Sequence, residues 1–145
     1  MSEALMSEPQ PTVLIAEDEE ALREALEQML VANGFRVVAA NGTGTEAAES
    51  AAALRPDLAL VDYRMPGADG VWLTETIKAV SPDTQIILLT AYDEESLSRE
   101  ATHAGAFAFL VKGCPPATII HALQSAWEFK TKGWSPRWAE SETGA

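Results

Sequence analysis

The stretch Leu58-Ala59-Leu60-Val61-Asp62-Tyr63-Arg64-Met65-Pro66-Gly67-Ala68-Asp69-Gly70 constrains this chain more than any other. Leu58 to Val61 is an unbroken apolar run with no polar alternation. A strand covered on both faces reads this way, and such strands belong to parallel sheets packed between helices. The run ends on a carboxylate. Pro66, Gly67 and Gly70 stop the strand and demand a tight turn, which leaves Asp62 at the carboxyl end of a buried strand. Open α/β sheets bind ligands at that edge. Taken alone, the stretch leaves two readings of Asp62: a functional carboxylate, or a residue that merely opens a turn.

A chain of 145 residues suits one compact core with tails. A net charge of −12, with ten Lys and Arg spread along the chain, disfavours direct contact with nucleic acid, because phosphate backbones are met by a basic stripe. Cys114 is the only cysteine, so no intrachain disulfide can form and a reducing, cytoplasmic setting is the simpler expectation. No apolar run reaches the roughly 20 residues of a membrane span. The acidic start, Met1 to Gln10, also lacks the basic-then-apolar order of a signal peptide, so no membrane partner is expected.

Residues 1–11, with Pro9 and Pro11, read as a disordered lead, residues 12–130 as the folded domain, and 131–145 as an aromatic tail. Thr12 to Ala16 is a second apolar run that stops on acid, Glu17-Asp18-Glu19-Glu20. From Glu19 the spacing turns helical through Leu22, Leu26, Met29 and Leu30, with Gly34 as the stop. Phe35 to Ala40 is the next strand, and Asn41 to Glu46 turns into a helix ending near Leu54. Thr43 with Glu46 there fits a capping box better than a phosphate-cradling loop. Leu73, Ile77 and Val80 line a helix closed by Ser81-Pro82, and Thr84 to Leu89 is a strand ending on Thr90-Ala91. The helix begun by Asp93, Glu94 and Glu95 offers a core only Leu97, Ala101 and Ala104, an anchoring weak enough to let it shift. Ala106 to Val111 is the last strand, followed at once by Lys112. Pro115 and Pro116 then open a helix with Ile119, Ile120, Leu123 and Trp127 inward. Five strands alternating with five helices predict an α/β fold: a single doubly wound parallel sheet, flavodoxin-like, in strand order 2-1-3-4-5.

Four of these strands end in a chemically useful group: Glu17 and Asp18, Asp62, Thr90, and Lys112. The strand order sets the first and third strands side by side, so the three carboxylates share one pocket. Two like charges about 4 Å apart repel by about 4 kcal/mol at an effective dielectric of about 20, so the cluster needs a cation or a proton. All-oxygen ligands select a hard ion, with Mg²⁺ the leading candidate. A Mg²⁺ ion, a Lys and a Thr hydroxyl around a carboxylate form a receptor for a phosphoryl group. Asp62 is then the nucleophile that carries that group as an acyl phosphate.

Val13-Leu14-Ile15-Ala16-Glu17-Asp18-Glu19, Asp62-x-x-Met65-Pro66-Gly67-x-Asp69-Gly70, Thr90-Ala91 and Gly105-Ala106-x-x-Phe109-Leu110-x-Lys112 together resemble the response-regulator receiver domain of two-component signalling. The resemblance implies that Asp62 accepts phosphate from a phosphohistidine of a sensor kinase or phosphotransfer protein. It implies Mg²⁺ on Asp18, Asp62 and the Arg64 main-chain carbonyl, with Glu17 acting through a water. Thr90 would move onto the phosphoryl oxygen, Lys112 would pair with it, and Phe109 would turn inward. The fourth helix, fifth strand and fifth helix would present a surface to a downstream protein; a homodimer through that surface or the tail is a further expectation. Such a module is a phosphoacceptor that promotes its own modification, not a turnover enzyme on a small substrate. Five positions bear on how closely the family pattern is met. Gly113 stands after Lys112 where Pro in a cis peptide is frequent, Glu17 replaces an Asp, and Phe109 lacks the hydroxyl of the frequent Tyr. Arg64 and Tyr92, bulky at the positions that control water access, predict slow self-dephosphorylation.

Three other readings compete. A transcriptional regulator whose output domain lies outside this chain needs a longer product, because the tail is too short for a helix-turn-helix. A Mg²⁺-dependent phosphatase commonly wants a second Asp two residues after the nucleophile, and Arg64 sits there. A receiver acting unphosphorylated is disfavoured by the presence of Asp18, Asp62, Thr90 and Lys112. His103 and His121 read as surface or packing residues, Cys114 as an ordinary thiol, and Trp72 as helix packing. Trp127, Phe129, Trp134 and Trp138, among Lys130, Lys132 and Arg137, either fold back on the domain or meet a partner.

Overall fold

Five parallel strands form the centre of the computed structural model, which describes residues 10–65, 68–91 and 95–133. They are β1 (Thr12–Ala16), β2 (Arg36–Asn41), β3 (Leu58–Asp62), β4 (Gln85–Thr90) and β5 (Ala108–Val111), paired in the order β2-β1-β3-β4-β5. The expected topology is therefore present. β3 is buried at every residue and sits at the centre, whereas β2 and β5, at the edges, are mostly half-covered. The helices are α1 (Glu20–Ala32), α2 (Gly44–Leu54), α3 (Gly70–Val80), α4 (Glu95–Ala104) and α5 (Pro116–Lys132).

Side chains alternate across a strand, and the two faces of the sheet build two cores. Val13, Ile15, Leu58, Leu60, Ile87 and Leu89 pack with α1 and α5 through Leu26, Leu30, Ile119, Ile120 and Leu123. The intervening Leu14, Ala16, Ala59, Val61, Ile86 and Leu88 pack with α2, α3 and α4 through Ala47, Ala51, Leu73, Ile77 and Ala101. Both faces are covered, which is why these strands lack polar alternation.

The strand boundaries shift by a residue or two for identifiable reasons. Phe35 is buried but precedes β2, its N–H returning to the Leu30 carbonyl at the end of α1. Ala106 precedes β5 because its N–H bonds the Ala101 carbonyl. Thr84 precedes β4 because its hydroxyl donates to the Pro56 carbonyl at 2.6 Å and meets Ser81 Oγ at 2.6 Å. A two-residue antiparallel ribbon, Arg64–Met65 with Ala68–Asp69, lies between β3 and α3 and is too short to leave a periodic signature. The capping pair is as expected: Glu46 N donates to Thr43 Oγ1 at 3.2 Å, and that hydroxyl meets Glu46 Oε1 at 3.0 Å. Trp72 requires correction. The residue is 46 % exposed, because on α3 the inward positions are Leu73, Thr74 and Ile77. No helix among the described residues is long and apolar enough to cross a membrane. Residues 1–9, Pro66, Gly67, Tyr92, the Leu97 side chain, Trp134 and Trp138 lie outside the described residues.

Candidate functional site

The carboxyl ends of β1 and β3 are neighbours, and their acids meet there. Glu17 follows β1 and is 1 % exposed; Asp62 ends β3 and is 4 % exposed; Asp18 is open to solvent. One oxygen from each of the three lies within 4.8 Å of the others. Lys112 follows β5, two strands from β3. Neighbouring strands lie about 5 Å apart, so only a long side chain spans that gap. Its Nζ stands 3.1 Å from Glu17 Oε1 and 3.1 Å from Asp62 Oδ2. Thr90 ends β4, is buried, and accepts the Lys112 N–H on its carbonyl, which ties the last turn of β5 to the site.

Each acid is held from its own backbone outward. Glu17 N donates to the Asn41 carbonyl at 2.9 Å, one step beyond the last residue of β1, while Glu17 Oε2 accepts the Glu19 N–H at 3.1 Å. Asp62 Oδ1 receives a long bond from Arg64 N, at 3.4 Å. Gly70, the first residue of α3, presses on the same loop. A Cβ there would stand 2.7 Å from Tyr63 Cα, 2.8 Å from Leu88 Cδ2 and 3.2 Å from the Asp62 carbonyl. Asp69 caps the helix, its Oδ1 accepting the Trp72 N–H at 2.7 Å.

Burial dominates the electrostatics. It pushes the Asp62 carboxyl above its ordinary value, although Lys112 opposes the shift. Burial likewise raises Glu17, against the Glu19 amide and Lys112. Burial alone would lower Lys112, but its two carboxylate partners hold it above the usual lysine value. Among the described residues, three carboxylates thus face the Lys112 ammonium.

The donor set fits a hard divalent cation. It is all oxygen, its net charge is negative, and Glu17 Oε1 is a buried acceptor that lies near Lys112 Nζ without a well-directed hydrogen bond. Asp18 supplies the open side such an ion needs for its waters.

Arg64 is exposed in the ribbon, its N–H turned toward Asp62. Phe109 is half-buried on β5 and lines, with Ala101, Ala106 and His121, a cavity of about 290 Å³ between α4 and α5. His103 and His121 are exposed. Cys114 is half-buried against Leu22, Leu26 and Met29 of α1. The Lys112–Gly113 peptide is trans, since the described residues contain no cis bond, and Gly113 adopts φ +91°. Glycine there answers the turn conformation. Sequence reasoning missed Arg23, whose Nη1 donates to the Glu17 carbonyl at 2.9 Å; the available signal was its place one turn past the acidic run.

A doubly wound parallel sheet with paired acids, a threonine and a lysine on one rim defines a flavodoxin-like fold. The chain matches the response regulator receiver domain family over residues 13–124, and it belongs to that family. It is 40 % identical over 116 residues to the transcriptional regulatory protein PdtaR of Mycobacterium tuberculosis, a match covering 79 % of this chain and 55 % of that protein. It is 33 % identical over 111 residues to the chemotaxis protein CheY of Bacillus subtilis, covering 77 % and 92 %. Among solved structures, the signal receiver domain of NarL from Mycobacterium tuberculosis superposes with a TM-score of 0.79 at 30 % identity, covering 83 % of this chain and 98 % of that one. The chain spans about half the length of the first curated relatives it matches.

Proposed function

We propose that this receiver domain takes a phosphoryl group from the phosphohistidine of a sensor kinase or phosphotransfer protein onto Asp62 and signals through protein contacts in the cytoplasm. The observation that carries the reading is the convergence of Glu17, Asp18 and Asp62 within 4.8 Å, with Lys112 bridging the two buried acids. An Asp62 oxygen attacks phosphorus, the P–N bond breaks, and the electron pair leaves on the imidazole, which takes a proton from solvent. Asp18, Asp62 and the Arg64 main-chain carbonyl would hold Mg²⁺, with Glu17 acting through a water. When bound, that ion neutralises the phosphoryl oxygens.

Lys112 then exchanges its carboxylate partners for a phosphoryl oxygen, and the Thr90 hydroxyl donates to another. The added charge of about −1.5 to −2 shifts the local balance. Phe109 turns inward as Thr90 moves, and the α4–β5–α5 surface changes toward a downstream protein or a second copy of the chain. The module acts as a phosphoacceptor and not as a turnover enzyme.

Intact mass after incubation with acetyl phosphate tests this reading. One phosphoryl group should appear with Mg²⁺, little without it, and none in Asp62→Asn. A phosphoryl group retained by Asp62→Asn would refute it. Arg64 and Tyr92 should make the acyl phosphate long-lived; loss within seconds in Mg²⁺ buffer would contradict that assignment. A second reading, the receiver of a longer transcriptional regulator, is favoured by the length of the PdtaR relative, of which this chain covers 55 %.

A further inference from the structure

The loop between β1 and α1 carries two of the three clustered acids, yet little of its backbone is tied down by regular pairing. Glu17 N is fixed to Asn41 at the end of β2, and its carbonyl is fixed by a side chain, the Arg23 guanidinium, at 2.9 Å. Arg23 N makes the ordinary first bond of α1, to the Glu19 carbonyl at 2.8 Å, so the guanidinium is what this residue adds to the loop. Gly42, next after Asn41, leaves the space in which the guanidinium lies. A Cβ on Gly42 would meet Arg23 Nη1 at 3.0 Å and Cζ at 3.7 Å. Gly42 is not in the positive-φ region, so its backbone does not require glycine; a Cβ there would instead push on the end of the Arg23 side chain.

We propose that Arg23 is a positioning residue for the divalent-cation pocket. It holds the β1–α1 loop so that Glu17 and Asp18 converge on Asp62, and Gly42 is the gap that admits it. This rests on the Mg²⁺ reading of the acidic cluster given above. Charge alone predicts the opposite sign: a guanidinium beside a cation site repels the cation, and removing it would tighten binding. Positioning predicts that removal weakens binding, as losing the outer support of a metal ligand commonly does.

Titrating MgCl₂ into isotope-labelled protein and following backbone amide shifts separates the two. Wild type should bind, and Asp18→Asn should bind far more weakly; a wild type that does not bind, or an Asp18→Asn that binds equally well, would overturn the Mg²⁺ reading itself. Arg23→Ala should weaken binding about tenfold, the lower end of the range for such supports, with sheet amides unchanged in Mg²⁺-free buffer. Gly42→Ala keeps the positive charge but displaces the guanidinium, so it should weaken binding in the same direction and provides the test if Arg23→Ala fails to fold. In the double variant the Gly42 penalty should vanish, because the group it obstructs is gone. Unchanged or tighter Mg²⁺ binding in Arg23→Ala, or a Gly42→Ala penalty that persists without Arg23, would overturn the proposal while leaving the Mg²⁺ reading intact.

Discussion

β3 has an aspartate–lysine pair at each end, and the surroundings give the two pairs opposite character. Just before the strand, Asp57 accepts from Thr12 N at 2.9 Å, Thr12 Oγ1 at 3.0 Å and Lys130 Nζ at 2.9 Å, while its own N–H returns to Thr12 Oγ1 at 2.9 Å. At the far end, Asp62 has Lys112 at 3.1 Å but shares it with Glu17, receives one long amide bond and faces Asp18. Burial pushes the Asp57 carboxyl up, yet the Thr12 amide, Lys130 and the Thr12 hydroxyl outweigh it and hold the group below its ordinary value. Burial also pushes Asp62 up, and there the donors are too few to reverse it. The separation of an ion pair therefore says little about its effect; the balance of donors against acids around it decides. One end of the strand is satisfied and fastens α5 to the sheet. The other gathers unfavourable charge around the Asp62 carboxylate.

Asp57→Ala should produce the largest change, a loss of about 2–3 kcal/mol in unfolding free energy, because it strands the Thr12 amide and a half-buried Lys130. Mg²⁺-dependent phosphoryl uptake by the folded fraction should persist. Chemical denaturation beside intact mass measures both, and an unchanged midpoint would erase the distinction between the two ends. Asp62→Asn should do the reverse: no acyl phosphate, and a gain of about 1 kcal/mol in Mg²⁺-free buffer as a costly buried charge disappears. A net loss of stability there would mean that Lys112 already compensates the site.

The smallest and sharpest effect is in the pH dependence. Asp57 lies below its ordinary value of about 4, so its stabilisation is complete above that pH and fades as the pH falls through the lowered value. Asp62 and Glu17 lie above theirs, so their ionised forms destabilise the Mg²⁺-free fold at neutral pH. That penalty is relieved as the pH falls through the raised values toward the ordinary range. Thermal melts of wild type, Asp57→Asn and Asp62→Asn from neutral pH to about 3 should give difference curves of opposite slope. Curves sloping the same way would show that the two pairs are equivalent.

Much of this was legible in the chain because a doubly buried strand leaves an unmistakable apolar run, and because parallel topology gathers strand ends on one rim. Leu58 to Asp62 and Thr12 to Glu17 carry that signal together, and Thr90 and Lys112 follow from the same logic. What escaped depends on close approach in three dimensions. Asp57 reads as loop punctuation until Lys130, 73 residues away, is placed beside it. Arg23 and Gly42 meet only because β2 runs next to β1. Trp72, read as helix packing, stands exposed because helical phase gives the inward position to Leu73 and to Thr74, whose hydroxyl donates to the Gly70 carbonyl at 2.7 Å.

The crowding around Gly70 has a bearing on how tolerance to mutation is interpreted in this protein. Even a single methyl group there has no room beside Tyr63 and Leu88, so alanine would drive the start of α3 off the loop that carries Asp62. A saturation screen scored on signalling output would rank this position with Asp62 itself, though it contributes no charge, proton or ligand atom. Intolerance in such a screen would chart where the chain is crowded as faithfully as where its chemistry happens.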